Sequence, residues 1–195
     1  MLKGTIIKGI GGFYYISTEN GVYECRARGK FRKAKITPTV GDYVQFTILD
    51  ENDCEGALDT IEKRKNILLR PRVANIDCAI ITFAATSPDI NRDLLDRFLI
   101  LAETQNIPKV IICINKSDLV SQEEKDTFAN IYEPYYKVVF TSAEKNIGID
   151  QLKEEIHGCE SVFAGPSGVG KSSLINRLIP ESNRQTGEIS RKIER

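Results

Sequence analysis

Residues Gly165 to Ser173 read GPSGVGKSS, between a short apolar run, SVFAG, and a run that continues as KSSLINRLI. Such a segment is stable where a strand feeds directly into a helix. Its glycines let consecutive N–H groups turn inward around an anion, and the helix N-terminus adds favourable partial charge. The fit to G-x-x-x-x-G-K-[ST] at Gly165, Gly170, Lys171 and Ser172 therefore commits this part of the chain to a parallel α/β sheet, with the ligand at the carboxyl ends of the strands. The ligand is a phosphate chain. Gly165, Pro166, Ser167, Gly168, Val169, Gly170 and Ser173 would surround it, Lys171 would reach the β- and γ-phosphates, and the Ser172 hydroxyl would ligate Mg²⁺, so Lys171 and Ser172 carry the catalytic expectation.

The residues before the loop have the matching rhythm. IDCAIITFAA (76–85) and KVIICI (109–114) are continuous apolar runs, as expected of parallel strands buried on both faces. Between them Leu94, Leu95, Phe98, Leu99 and Ala102 share one helical face, which Pro108 closes. Ser121 with Glu124 has the form of a capping box and opens a second helix through Ile131. The strand KVVFTS, a helix from Asp150 to Ile156, the strand SVFAG and a helix from Lys171 to Ile179 complete an α/β domain with helices on both faces of its sheet.

The first sixty-odd residues are different. TIIKGI, FYYIST, VYECRAR, YVQFTIL and ALDTIE are short β-rich segments punctuated by Gly11-Gly12, Asn20-Gly21, Pro38 and Gly41-Asp42. They predict an all-β, OB-like or SH3-like barrel. The boundary falls near residues 65 to 72, where KRKNILLRP is basic and ends in Pro71, giving a barrel over 1–68 and an α/β domain over 69–195. In the barrel, GKFRKAK sets Lys30, Arg32, Lys33 and Lys35, with Phe31 among them, in a loop suited to a phosphate backbone; a solvated loop is the plainer reading.

Asn115-Lys116-Ser117-Asp118 follows the apolar run VIICI and so sits at a strand end. There the Asp118 carboxylate can accept from the N1–H and the 2-amino group of guanine, donors that adenine lacks. A site built round such an acceptor discriminates by several orders of magnitude, because the wrong base leaves it unpaired. Asn115 can brace the neighbouring loops, and the stem of Lys116 can lie across the base. TSAEKN follows the next strand, and its Ser142-Ala143-Glu144 resembles the place where GTPases offer a backbone N–H to guanine O6, a role for Ser142 and Ala143. In ordinary GTPases the phosphate loop precedes both base-reading segments. Here the order is reversed, a circular permutation, which leaves the chemistry intact because strand ends need only be adjacent in space.

Lys+Arg and Asp+Glu are equal at 27 each, so a nucleic-acid partner must be met by a local patch. The five cysteines (Cys25, Cys54, Cys78, Cys113, Cys159) have no zinc spacing and accompany a single histidine, His157, which reads as a helix C-terminal residue. Cys78 and Cys113 fall in buried strands and read as small core residues. No signal-peptide pattern and no membrane-length apolar run is evident, so we expect a cytoplasmic chain with reduced thiols and no membrane partner.

With a β-barrel followed by RPRVANID, NKSD, TSA and GPSGVGKSSLIN, the chain resembles the ribosome small subunit-dependent GTPase A family (RsgA, also YjeQ) over essentially its whole length. The resemblance implies GTP hydrolysis stimulated by the small ribosomal subunit during its late maturation in bacteria. It also implies GTP/GDP and Mg²⁺ as ligands and ribosomal RNA as the partner of the barrel; we expect a monomer. Members of that family continue past the P-loop with a threonine-containing switch, an Asp-x-x-Gly segment and a zinc-binding domain with Cys and His ligands. In this chain Asp150 is the last aspartate, and Thr186, in QTGEIS, is the only threonine after the P-loop. Asp53-Cys54-Glu55-Gly56 matches Asp-x-x-Gly in letters but reads as a barrel turn. The sequence thus reads as a fragment of a longer protein, without zinc ligands, that binds guanine nucleotide and hydrolyses it poorly. Two other readings remain open at this point: an RNA-binding module regulated by nucleotide, and a general P-loop ATPase or kinase.

Overall fold

A computed structural model describes residues 1–50 and 53–179 and divides the chain into two compact units, Met1–Ile76 and Asp77–Arg195. Thr186 and the segment QTGEIS lie outside the described residues.

In the first unit, β1 (Leu2–Ile10), β2 (Phe13–Thr18), β3 (Gly21–Ala27), β4 (Tyr43–Asp50) and β5 (Glu55–Ile61) close into a barrel in the order β1-β2-β3-β5-β4. Only β3 and β5 run parallel, and β1 closes on β4, the OB-type solution that leaves no sheet edge open. Alternation turns Ile6, Ile16, Cys25, Val44, Phe46 and Leu58 into its core. Asp53 and Cys54 form the turn into β5, and Gly56 is a strand residue.

GKFRK is a helix, α1 (Gly29–Lys33), where the sequence suggested a loop, and Phe31 turns inward, with Lys30 Nζ 5.7 Å from the centre of its ring. Its ring is buried in the barrel core, while Lys30, Arg32, Lys33 and Lys35 are exposed. One apolar side chain therefore pins the helix and leaves its cations in water.

Beyond the barrel strands, β6 (Ile67–Leu69) and β7 (Arg72–Ala74) form a short antiparallel hairpin inside the first unit. Asn75 donates through Nδ2 to Gly41 O at 2.8 Å, and Asn66 exchanges two 2.8 Å bonds with the backbone of Ile76. The fully buried Asp42 carboxylate accepts from Arg64 Nε at 2.6 Å, Arg64 Nη2 at 2.8 Å and the Thr39 N–H at 2.8 Å. Arg64 also donates to Thr37 O at 2.9 Å, so a paired and hydrogen-bonded charge ties the approach to β4 to the segment after β5. Hydrogen bonding to the Asp42 carboxylate, together with its charge, holds the guanidinium above its usual pKa.

The second unit alternates β8 (Cys78–Ala84), α2 (Arg92–Thr104), β9 (Lys109–Asn115), α3 (Gln122–Tyr132), β10 (Lys137–Phe140), α4 (Ile149–Glu155), β11 (Ser161–Ala164) and α5 (Lys171–Leu178). All four strands are parallel, in the order β10-β9-β8-β11. Every residue of β8 is buried, because α4 and α5 cover one face through Leu152, Leu174 and Leu178, while Phe98 of α2 meets Phe83 edge-on. Burial pushes the Cys113 thiol up to about 12 and Cys78 up to about 11, as suits inert core residues. The capping box is formed: Ser121 Oγ accepts from the Glu124 N–H, and Glu124 Oε2 accepts from the Ser121 N–H at 2.7 Å. The strand order reverses between β8 and β11, and their carboxyl ends bound the crevice where an open α/β sheet places its ligand. Among the described residues no helix is long and apolar enough to cross a membrane.

Candidate functional site

The loop after β11 starts and ends on glycines that its neighbours demand. At Gly165, φ is +148°, and a Cβ would lie 2.0 Å from Thr82 O on β8. Gly170, at φ +94°, caps α5, and a Cβ there would lie 2.3 Å from Asn115 Nδ2. Neither approach leaves room for a methyl group, and the positive φ would strain any other residue. Lys171 folds back over the loop and donates through Nζ to Gly165 O at 3.1 Å and to Pro166 O at 2.7 Å. Ser167 and Gly168 are exposed at the loop tip, Val169 is buried beneath it, and Ser172 and Ser173 are exposed in the first turn of α5.

Asn115, at the end of β9, is the joint of the site. Its buried side chain donates through Nδ2 to Val169 O at 2.8 Å and accepts at Oδ1 from the Ala143 N–H at 3.1 Å. One amide thus ties the glycine-rich loop to the segment after β10. Lys116 follows in the left-handed region, at φ +58°, and its Nζ donates to Ser87 O in the loop between β8 and α2. Ser117 begins a 3-10 turn, Ser117–Leu119, with its N–H on Thr141 O at 3.0 Å; its buried hydroxyl has no partner among the described residues.

Asp118 stands partly exposed in that turn. The Ser142 hydroxyl donating to it, its own backbone N–H and the charges of Lys145 and Lys125 hold its carboxyl below the usual range. It is an ionised acceptor at neutral pH. Ser142 is bridged to Ile147 in both directions, its N–H on Ile147 O at 3.0 Å, so the N–H groups of Ser142 and Ala143 both have partners inside the protein. Either could reach a base oxygen only by sharing its proton or exchanging its partner.

Sequence reasoning passed over several contributors. Arg177 of α5 donates through Nε to Ala143 O at 2.8 Å, a second tie between the two loops. Thr141 sits under the turn of Asp118, and Ser87 and Pro88 flank the crevice. None belongs to a motif, and only spatial adjacency identifies them. His157 follows α4 in an exposed turn with Gly158 at φ +72°, in keeping with a helix terminus. Among the described residues no three or more His, Cys, Asp or Glu side chains are grouped to hold a metal ion. Mg²⁺ at a phosphate chain needs fewer protein ligands, since phosphate and water oxygens supply the rest, and the exposed Ser172 hydroxyl fits that donor set.

The barrel has its own candidate surface. The Lys30, Arg32, Lys33 and Lys35 side chains project from α1 and the turn after it. On the outer face of β1, β2 and β3, the Arg26 guanidinium lies 4.5 Å from the centre of the Phe13 ring, and Lys8 Nζ lies 5.2 Å from that of Tyr15. Cross-strand pairing builds this face, since Phe13 opposes Arg26 and Lys8 opposes Tyr15.

Comparison with known proteins finds a family model for each part of the chain. Residues 61–195 match the family model RsgA GTPase, and residues 3–57 match RsgA N-terminal domain. A small ribosomal subunit biogenesis GTPase RsgA from Alkaliphilus metalliredigens is 53% identical over 196 residues, covering 100% of this chain and 67% of the relative. The protein of the same name from Clostridium beijerinckii is 51% identical, over 100% of this chain and 66% of its own length. Among solved structures, YjeQ from Thermotoga maritima superposes with a TM-score of 0.79 at 35% identity, over 91% of this chain and 65% of that one. YloQ, described as a circularly permuted GTPase, gives 0.73 at 44% identity, over 92% and 64%. The chain spans about two thirds of the length of the relatives it matches.

Proposed function

Because the chain belongs to the RsgA GTPase family, we propose that it binds GTP and GDP with Mg²⁺ on its second unit and serves, in the cytoplasm, the late maturation of the small ribosomal subunit. Its fold is that of a circularly permuted P-loop GTPase preceded in the sequence by an OB-like barrel. The observation that carries the nucleotide reading is the double engagement of Asn115 with Val169 and Ala143, which makes one site of three strand ends. Phosphates would lie against the N–H groups of the glycine-rich loop and the first turn of α5, with Lys171 exchanging its backbone carbonyls for phosphate oxygens. Ser172, together with phosphate oxygens, would hold Mg²⁺, which would supply neutralisation of the phosphate charge. Asp118 reads the base, with Asn115, Lys116, Ser117, Ser142 and Ala143 shaping its pocket.

Equilibrium titration with fluorescent GDP and ADP in Mg²⁺ tests the reading. Guanine-selective binding is the expected result; equal binding of both, or of neither, would sink it.

For the barrel we propose contact with ribosomal RNA through Lys30, Arg32, Lys33 and Lys35, supported by the aromatic and cationic face of Phe13, Tyr15, Lys8 and Arg26. Affinity for small subunits should fall steeply with salt. Changing Lys30, Arg32, Lys33 and Lys35 to glutamine should flatten the slope of log affinity against log salt by about 0.7 to 0.9 for each phosphate that is no longer neutralised. An unchanged slope and affinity would remove α1 from the interface.

A further inference from the structure

We infer that the loop between β8 and α2, through Ser87 and Pro88, is a positioning segment of the nucleotide site: it anchors the ammonium of Lys116 and so sets the aliphatic stem of Lys116 in place for the base. The inference rests on the proposed nucleotide reading and adds a wall to the site that no motif marks.

The loop is fixed to the site along its length. At its start, the Ala85 N–H donates to Asn115 O at 2.7 Å. At its middle, Ser87 O accepts from Lys116 Nζ. Next to that, Pro88 Cδ lies 4.0 Å from where a Cβ on Gly168 would stand, so the loop borders the glycine-rich turn as well. Its own form is held by Thr86 Oγ1 on Asp89 Oδ1 at 3.1 Å and by Asn91, whose side chain caps α2. The loop also leaves β8, one of the two strands at which the sheet order reverses, where a ligand crevice is expected.

Ser87 and Lys116 both adopt the left-handed region, at φ +49° and +58°. Outside glycine this conformation is uncommon, and it persists where the surroundings demand it, often beside a ligand. Here it aims a carbonyl at an ammonium. A free lysine stem has many rotamers and would lose them on meeting the base. A stem already tethered at its head has lost them beforehand, and the base gains the difference. Because every base offers a flat face, this device raises affinity without choosing guanine; the choice stays with Asp118.

The test is a double-mutant cycle on the full chain, read by titration with fluorescent GDP and ADP in Mg²⁺ and by the melting temperature. Lys116→Met keeps the stem and deletes the ammonium. Ser87→Val puts a β-branched residue at a positive φ, which turns the carbonyl away. Ser87→Gly tolerates that φ and keeps the carbonyl aimed. Each of the first two is expected to weaken GDP binding about tenfold while guanine preference remains, and the pair together no more than either alone. Ser87→Gly should stay within about twofold of wild type. If Ser87→Val lacks the wild-type melting transition, Pro88→Gly, which loosens the same loop, replaces it with the same expectation. Additive losses, or wild-type affinity in Ser87→Val (or in Pro88→Gly where that replaces it), would overturn the positioning role while leaving guanine binding intact. A wild-type chain without guanine preference would overturn the nucleotide reading and this inference with it.

Discussion

Replacing Asp118 by alanine is expected to erase the preference for guanine over adenine nucleotides, lowering GDP affinity by about two orders of magnitude or more while ADP affinity stays where it was. The asymmetry follows from the donor pattern. Guanine presents N1–H and a 2-amino group to one carboxylate; adenine presents neither, so it loses nothing when the carboxylate goes. Asp118→Asn sharpens the test. An amide offers a donor where the carboxylate offered only acceptors, and xanthine carries a carbonyl where guanine carries its amino group. The asparagine variant should therefore prefer xanthine nucleotide. If both variants kept wild-type GDP affinity, the base would be read elsewhere.

The same carboxylate gives the site a pH dependence of known sign. Reading guanine requires the ionised form, because a protonated carboxyl has lost an acceptor. The Ser142 hydroxyl is the largest cause of the lowered Asp118 pKa, followed by its backbone N–H and the charges of Lys145 and Lys125. Guanine preference should thus hold through neutral and mildly acidic pH and fail only as pH drops through a value below the ordinary carboxylate range. Ser142→Ala removes the largest cause and should move that loss upward in pH.

Local pattern made most of the architecture legible in the sequence. Runs buried on both faces announced β8 and β9, the Ser121 and Glu124 pair announced α3, and Asn20-Gly21 announced the turn between β2 and β3. Each signal is carried by residues within a turn or two of one another. What stayed hidden depends on residues far apart in the chain. Asn115 reads as a brace from its motif, but its partner Val169 lies 54 positions away; Arg177 meets Ala143 across 34, and Arg64 meets Asp42 across 22. The β6 and β7 hairpin is too short to display a period, with three residues in each strand. In α1 the charges dominate the composition, and a single buried ring decides the conformation. The loop of Ser87 and Pro88 carries no motif, since its contribution is a backbone carbonyl, which no side-chain pattern marks.

Asn115 offers the sharpest separation between assembling the site and reading the base. Asn115→Ala leaves two buried backbone groups, Val169 C=O and the Ala143 N–H, without their partner, at a cost of about 3 kcal/mol to the second unit. The glycine-rich loop also loses its brace, so GDP and ADP binding should weaken together by about tenfold or more, unlike the selective loss from Asp118→Ala. Asn115→Asp keeps the shape but turns the donor facing Val169 O into an acceptor, and burial disfavours its charge. At neutral pH this variant should be at least as unstable as the alanine one. Burial raises its carboxyl pKa in the folded state, so the penalty is present above that pKa and is relieved as pH falls and the protonated acid regains a donor for Val169 O. Urea unfolding of the full chain at pH 7 and pH 5 reads this directly, as a gain relative to wild type on acidification. A steady deficit at both pH values would mean that the donor to Val169 is not what holds the loops together.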